Sequence, residues 1–540
     1  MPLYLGFDCS TQGLTALVID VAESHRAVVF ERTLDFDADL PEYGTVNGVL
    51  PSDDPLVARC SPLLWAEALE RMMAIVARES GLDLRRLVAI SGAAQQHGSV
   101  YLDGSASSAL AGLSADRALS EQIAHAFTRP DAPIWMDAST ARQCAEIADA
   151  LGGAEAVARL TGSTTFPRFT GPQIRKFFSD DPAAYARTDR IHLVSSYLAS
   201  LLIGRHAPLE PGDASGMNLM DLATRGWSAE ALDATAPGLA DKLPPIVPAS
   251  SVAGTLAPYW RTRFGFPAAK VICWTGDNPS SLIGTGLVAP GDVAVSLGTS
   301  DTLFGVLDGP RYDPSTSGHV FGTPTGGYMG LVCCRNGSLA RERVRDAYGL
   351  DWEGFAAALR ATQPGNGGAV MLPWFAPEIT PRVADPRVYR YGLDASDAAA
   401  NVRAVVEAQM LALARHAGWM EARPRVLRAT GGAAANVEIL RVMADVHGVP
   451  VDRLVVGNSS CLGAALRALH GDAIASGRAA PWSAVLAGFV EPLEGARVSP
   501  TPAHHARYAR LARVYAACEE HALGRGADPA PLIEAFRRQG

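Results

Sequence analysis

An acid followed by a turn of small hydroxyl residues is a short way to write phosphate chemistry into a chain. Residues 8–13 read Asp-Cys-Ser-Thr-Gln-Gly. The Asp8 carboxylate suits a Mg²⁺ held largely through waters, because that ion takes one or two carboxylates and fills its shell with water and phosphate oxygens. Thr11, Gln12 and the permissive backbone at Gly13 can donate to phosphate, and the same string also reads as a capped turn. A second turn, Gly298-Thr299-Ser300, offers another set of donors. Together the two turns point to a triphosphate held between two lobes. A third stretch, Thr430-Gly431-Gly432, runs from an apolar segment toward a helix start at Asn436. Its glycines allow close backbone approach, and a helix N-terminus favours anions.

Two further stretches suit the partner of such a phosphate. Thr275-Gly276-Asp277-Asn278-Pro279 sets an acid in a loop beyond the apolar run 271–274. An acid placed there suits a general base that takes a proton from a substrate hydroxyl, and equally an Asx-turn cap. Past another apolar run, Gln95-Gln96-His97 gathers two amides and an imidazole where a polyhydroxylated ligand can be read. The chain has three lysines, Lys176, Lys242 and Lys270, and none stands in a Gly-Lys-Ser/Thr sequence. Any ATP bound here is therefore bound without a Walker lysine.

These residues need elements to hold them. Residues 3–20 form two apolar runs around a polar turn, which predicts a β-hairpin, and the run 27–30 extends it to a meander. Residues 64–80 carry apolar side chains at helical spacing, and 87–92 read as a short buried strand. The opening is thus β-β-β-α-β. Residues 292–308 repeat the hairpin plan, with Thr11 falling on Thr299 and Asp20 on Asp308. Two related halves follow, each opened by a hairpin whose turn presents hydroxyl and N–H groups. The Pro-rich segment 241–258 reads as irregular chain near their boundary, and 503–523 as a helix. The expected division is 1–270, 271–500 and a helical tail, 501–540.

Composition closes off other classes. A length of 540 residues predicts about three to four ordinary domains or two large ones. With 47 Lys+Arg against 56 Asp+Glu the net charge is −9, which argues against a nucleic-acid binder. No apolar stretch nears the roughly 18 residues of a membrane span. The N-terminus reaches Asp8 without a basic region and does not read as a signal peptide. The eight cysteines form no C-x-x-C pair and are expected as reduced thiols of a cytoplasmic protein.

The motifs Asp8–Gly13, Gln95–Gly98, Gly276–Asn278, Ser296–Ser300 and Thr430–Gly432 stand in the order of the FGGY carbohydrate kinases. Phe36–Tyr43, Ile134–Thr140, Arg168–Gly171, Asp213–Leu219, Asn336–Leu339 and Glu378–Pro381 are similar to blocks of the eukaryotic-type xylulokinases. The resemblance runs from about residue 4 to 520. It implies an α/β fold of two ribonuclease-H-like lobes around a cleft, with sugar deep and ATP above. It implies Asp8 as the Mg²⁺-associated acid and Asp277 as catalytic base. Sugar contacts are implied at Gln96, His97, Arg168, Asp277 and Asn278, and nucleotide contacts at Thr11, Gln12, Thr299, Trp352, Gly431, Gly432 and Asn436. The implied reaction is ATP-dependent phosphorylation of D-xylulose by a monomer or homodimer with no nucleic-acid or membrane partner. Kinases for L-xylulose, D-ribulose, L-ribulose or glycerol share the motifs, and a non-catalytic sugar sensor on the same fold is the alternative of a different class.

Overall fold

The computed structural model describes residues 2–22, 26–454 and 457–539. Its first sheet opens with an antiparallel meander of β1 (Leu3–Cys9), β2 (Gly13–Val21) and β3 (Arg26–Asp35). Helix α1 (Pro62–Glu79) then crosses back. Ser61 caps its N-terminus, Pro62 sits in the first turn, and Leu64, Trp65, Ala68, Leu69, Met72 and Val76 form a fully buried stripe. Such a stripe at i, i+4 and i+8 can only be satisfied against a core. Strand β4 (Leu87–Ala94) lies parallel beside β1.

A long insertion follows β4 before the sheet resumes. It contains the paired strands Ser99–Asp103 and Thr188–Leu193 and the helices Thr170–Asp180 and Val194–Ile203. The sheet then adds β5 (Val252–Thr255) and β6 (Lys270–Ile272), giving the order β3-β2-β1-β4-β6-β5. Strand β5 lies within the Pro-rich segment expected to be irregular. No proline falls between Pro248 and Pro258, which leaves Val-Ala-Gly-Thr with every N–H free to pair, and β5 runs antiparallel to β6. Helix α2 (Asp277–Gly284) starts directly after Thr275–Gly276, so Asp277 opens a helix instead of sitting in a loop.

The second sheet repeats the first. It contains β7 (Val293–Leu297), β8 (Asp301–Leu307), β9 (His319–Gly322), β10 (Tyr328–Cys334), β11 (Leu427–Thr430) and β12 (Val451–Arg453). The order is β9-β10-β8-β7-β11-β12. β7 and β8 are antiparallel like β1 and β2, β10 stands where β3 stands, and β11 and β12 run parallel as β4 and β6 do. Both sheets therefore have the ribonuclease-H-like arrangement. Helices α3 (Ala398–His416) and α4 (Val437–His447) cover one face of the second sheet.

Two helices exchange sides between the sheets. Helix α2, at the end of the first sheet, places Leu282 among Ala294, Phe304, Val306, Met329 and Leu331 of the second. Helix α5 (Ser459–Ala475), at the end of the second, places Cys461, Leu462, Ala465 and Leu466 against Tyr4, Leu17, Ile19, Ala89 and Ile272 of the first. The two helices touch backbone to backbone, since a Cβ on Gly463 would collide with the Ser280 carbonyl and one on Gly284 with that of Ser459. Helix α6 (Pro502–Ala522) buries Tyr508, Leu511, Val514, Tyr515 and Cys518 in the core of the second sheet, and the last helix, Ala530–Arg538, adds Ile533 and Phe536 to it. All eight cysteines are free. Among the described residues no helix is long and apolar enough to cross a membrane.

Candidate active site

The C-terminal ends of β1 and β4 bring the chemistry together. In register, Asp8 stands beside Ala93 on β4, and Thr275 pairs with Ala93 from the opposite side. The start of α2 is thereby fixed on the same edge as Asp8. Asp277 lies in the first turn of α2, where partial positive charge favours a carboxylate. Its Oδ1 accepts from the Asn278 backbone N–H at 2.8 Å and from Asn278 Nδ2 at 3.0 Å. Asn278 Nδ2 also donates to Gln96 Oε1 at 3.0 Å, which ties the start of α2 to the turn after β4.

Asp8, Asp277, Asn278 and Ser281 line a cavity of about 250 Å³ closed by Asn458, Ser459 and Ser460 at the start of α5. Burial pushes the Asp8 carboxyl up to about 7, the charge of Asp277 adds to this, and the nearby Ser460 hydroxyl opposes it. Burial pushes Asp277 up to about 6 against the pull of the Asn278 and Gln96 backbone N–H groups. Asp8 Oδ1 is buried without a hydrogen-bond partner. Among the described residues no group of three or more His, Cys, Asp or Glu could hold a metal. A cation here would have two carboxylates at most, with water and phosphate oxygens completing its shell. That donor set fits Mg²⁺.

Gln96 and His97 are buried in the turn after β4. His97 has φ 72°, left-handed for a residue with a Cβ, and such strained positions concentrate at ligand sites. Its Nδ1 donates to the Gly216 carbonyl at 2.7 Å, which leaves Nε2 as an acceptor. Burial, helped by the Arg168 charge, lowers its pKa to about 3, so the ring is neutral. The Arg168 guanidinium lies 5.1 Å from the Phe166 ring and 5.5 Å from Phe169. Burial lowers its pKa, and no carboxylate among the described residues pairs with it. A desolvated guanidinium without a carboxylate is a ready donor for ligand oxygens.

The second lobe holds a separate cavity of about 610 Å³, lined by Trp352, Gly432, Asn436, Ser338 and Glu342 among others. Gly431 has φ 86°, and a Cβ there would lie 2.5 Å from the Leu297 carbonyl oxygen, so only glycine fits beside β7. Gly432 faces open space. Asn436 caps α4 by accepting from the Glu438 N–H at 3.0 Å. Trp352 is exposed, and Arg345 covers it at 4.5 Å. Thr11 Oγ1 accepts from Trp135 Nε1 at 2.7 Å, while Gln12 and Thr299 stand exposed at the two hairpin turns. The structure thus gathers Asp8, Gln96, Asp277 and Asn278 in one place, His97 and Arg168 beside them, and Trp352, Gly432 and Asn436 in the second-lobe cavity.

Sequence reasoning missed several neighbours. Glu210, fully buried, accepts from the Asp213 N–H at 3.0 Å and from the Thr275 hydroxyl, and Asp213 accepts from Ser195. These contacts hold the strand end that precedes Asp277. Asp213 heads a block that the resemblance covers, so a signal was present. Asn458–Ser460 gave none, because only the crossing of α5 brings them to Asp277.

Two ribonuclease-H-like lobes around a cleft, with acids at its floor, have the architecture of the sugar-kinase fold. Residues 128–284 match the FGGY family of carbohydrate kinases, N-terminal domain, and residues 293–471 match its C-terminal domain. The chain belongs to the FGGY family of carbohydrate kinases. It is 42% identical to a xylulose kinase of Rattus norvegicus, over 97% of this chain and 98% of that protein. It is 41% identical to xylulose kinase 2 of Arabidopsis thaliana over 87% of each. The crystal structure of xylulose kinase from Rhodospirillum rubrum superposes with a TM-score of 0.80 at 22% identity, covering 96% of this chain and 99% of that one.

Proposed function

We propose that the protein transfers the γ-phosphoryl group of ATP to a terminal hydroxyl of D-xylulose, giving D-xylulose 5-phosphate and ADP. The observation that carries the reading is Asp277, a desolvated carboxylate tied through Asn278 to Gln96 and facing a second acid across a small cavity. The choice of sugar is supported by the relatives named xylulose kinase, which match nearly the whole chain.

Asp277 accepts the hydroxyl proton as the sugar oxygen forms its bond to the γ-phosphorus and the bond to the β-phosphate oxygen breaks. Gln96, His97, Arg168 and Asn278 hold the other sugar oxygens. Neutral His97 suits this, since its Nε2 accepts a hydroxyl hydrogen. Thr11, Gln12 and Thr299 donate to the phosphates from the two hairpin turns, and Gly431, Gly432, Asn436 and Trp352 hold the nucleoside end. Asp8 would hold Mg²⁺ through water, and that ion supplies charge neutralisation at the phosphates. With no lysine at the site, positioning and these backbone donors carry most of the remaining stabilisation. We place the enzyme in the cytoplasm, as a monomer or homodimer.

A panel of D-xylulose, L-xylulose, D-ribulose, L-ribulose and glycerol, read by ADP release with MgATP, tests the reading. D-xylulose should give the highest kcat/KM. A higher value for any other acceptor overturns the sugar, and ADP release indifferent to all five overturns the kinase reading.

A further inference from the structure

Arg168 reaches the cleft from the first lobe, yet its hydrogen-bonding partner comes from the second. Its Nη2 donates to His319 Nε2 at 3.0 Å. A guanidinium has only donors, so Nε2 must be unprotonated and the imidazole must carry its hydrogen on Nδ1. Nδ1 lies 3.2 Å from Ser163 Oγ, the acceptor that this tautomer requires. His319 itself is buried on strand β9 and packed by Phe166 at 4.7 Å, Phe169 at 5.5 Å and Phe321 at 5.8 Å. Its ring has no freedom to turn away. The chain Ser163–His319–Arg168 therefore fixes one nitrogen of the guanidinium, and no other protein partner claims the rest of its fork among the described residues. A neutral imidazole does this without neutralising the cation, as a carboxylate partner would.

We infer that His319 is a positioning residue for the sugar, acting through Arg168, so that the second lobe sets the geometry of a sugar contact made by the first. This rests on the placing of Arg168 in the sugar site. The same strand also meets the sugar-site loop at its other end, where the Gly322 N–H donates to Ser215 Oγ at 3.0 Å, one residue before the Gly216 carbonyl that holds His97. Both basic sugar-site residues are thus braced by β9 or by the loop it touches.

The test is steady-state kinetics with D-xylulose and ATP on four variants of the full chain, with thermal melts alongside. His319→Phe keeps the aromatic packing and removes the acceptor. It should raise the KM for D-xylulose roughly tenfold, the usual size of a lost hydrogen bond to a charged group, while the KM for ATP stays within about twofold. His319→Gln, which can accept from Arg168 and donate to Ser163, should recover most of the loss. In an Arg168→Ala background, adding His319→Phe should change the sugar KM by less than about twofold, since the residue it acts through is gone. If His319→Phe does not fold, His319→Asn, too short to reach Nη2, takes its place with the same expectations. An unchanged sugar KM in His319→Phe, or a further rise in the Arg168→Ala background, overturns the inference. If Arg168→Ala alone leaves the sugar KM unchanged, the sugar-site placing of Arg168 fails, and the inference fails with it.

Discussion

At the scale of single residues, the cleft floor is two desolvated acids, Asp8 and Asp277, with no lysine lining their cavity. Replacing Asp277 with Ala should lower kcat by about 10²–10⁴-fold, the usual range for a general base, with ATP binding nearly intact. A variant within a few-fold of wild type removes Asp277 from that role. The same acids make a stability prediction. The folded protein holds the Asp8 proton up to about 7, above the ordinary carboxylate value of 3.8, so between those values the native state binds more protons than the unfolded chain. Stability then falls as pH rises through that window. Without Mg²⁺ or nucleotide, Asp8→Asn should match wild type in melting temperature near pH 4 and exceed it by roughly 2–4 °C above pH 7. A gap that is constant with pH would show that the Asp8 charge is not strained in the fold. Both acids were legible in the sequence because each stands next to turn chemistry in the strand pattern. Glu210 and His319 were not, because their meaning lies in contacts with Thr275 and Arg168, far away in the chain.

At the scale of elements, the repeated hairpin was the most legible feature. β-Hairpins announce themselves by two apolar runs around a polar turn, and the two at Leu3–Val21 and Val293–Leu307 proved to be the equivalent first strands of two like sheets. The strand Val252–Thr255 was not legible, because four residues beside prolines show no period of their own, and only pairing with Lys270–Ile272 makes them a strand. The glycine pair after β11 separates two roles that sequence treats alike. Gly431→Ala forces a Cβ toward the Leu297 carbonyl at a left-handed φ, so it should lower the melting temperature and raise the KM for ATP several-fold. Gly432→Ala meets open space and should leave the melting temperature unchanged. Equal melting temperatures for the two variants would contradict the geometry at Gly431.

At the scale of the whole molecule, the cleft is defined by helices that end on each other's side. Asn458–Ser460 face Asp277 because α5 leaves the second sheet to lie on the first, and Gly463 lets it do so in direct contact with α2. Gly463→Val should force the helices apart, lower the melting temperature and cut kcat with both substrates saturating. Retained kcat would show that the helix contact does not set the cleft. The sequence showed two related halves but not this exchange, since each helix looks like an ordinary close to its own half. The exchange has a consequence for anyone who divides the gene. A fragment ending in the connection Leu287–Asp292 leaves Tyr4, Leu17, Ile19 and Ala89 without the helix that covers them, and the other fragment lacks Leu282 over Phe304 and Met329. Each piece expressed alone should aggregate through its bare sheet face. Co-expressed, the two should rescue each other, as a pair of interlocked half-enzymes whose activity reports their reunion.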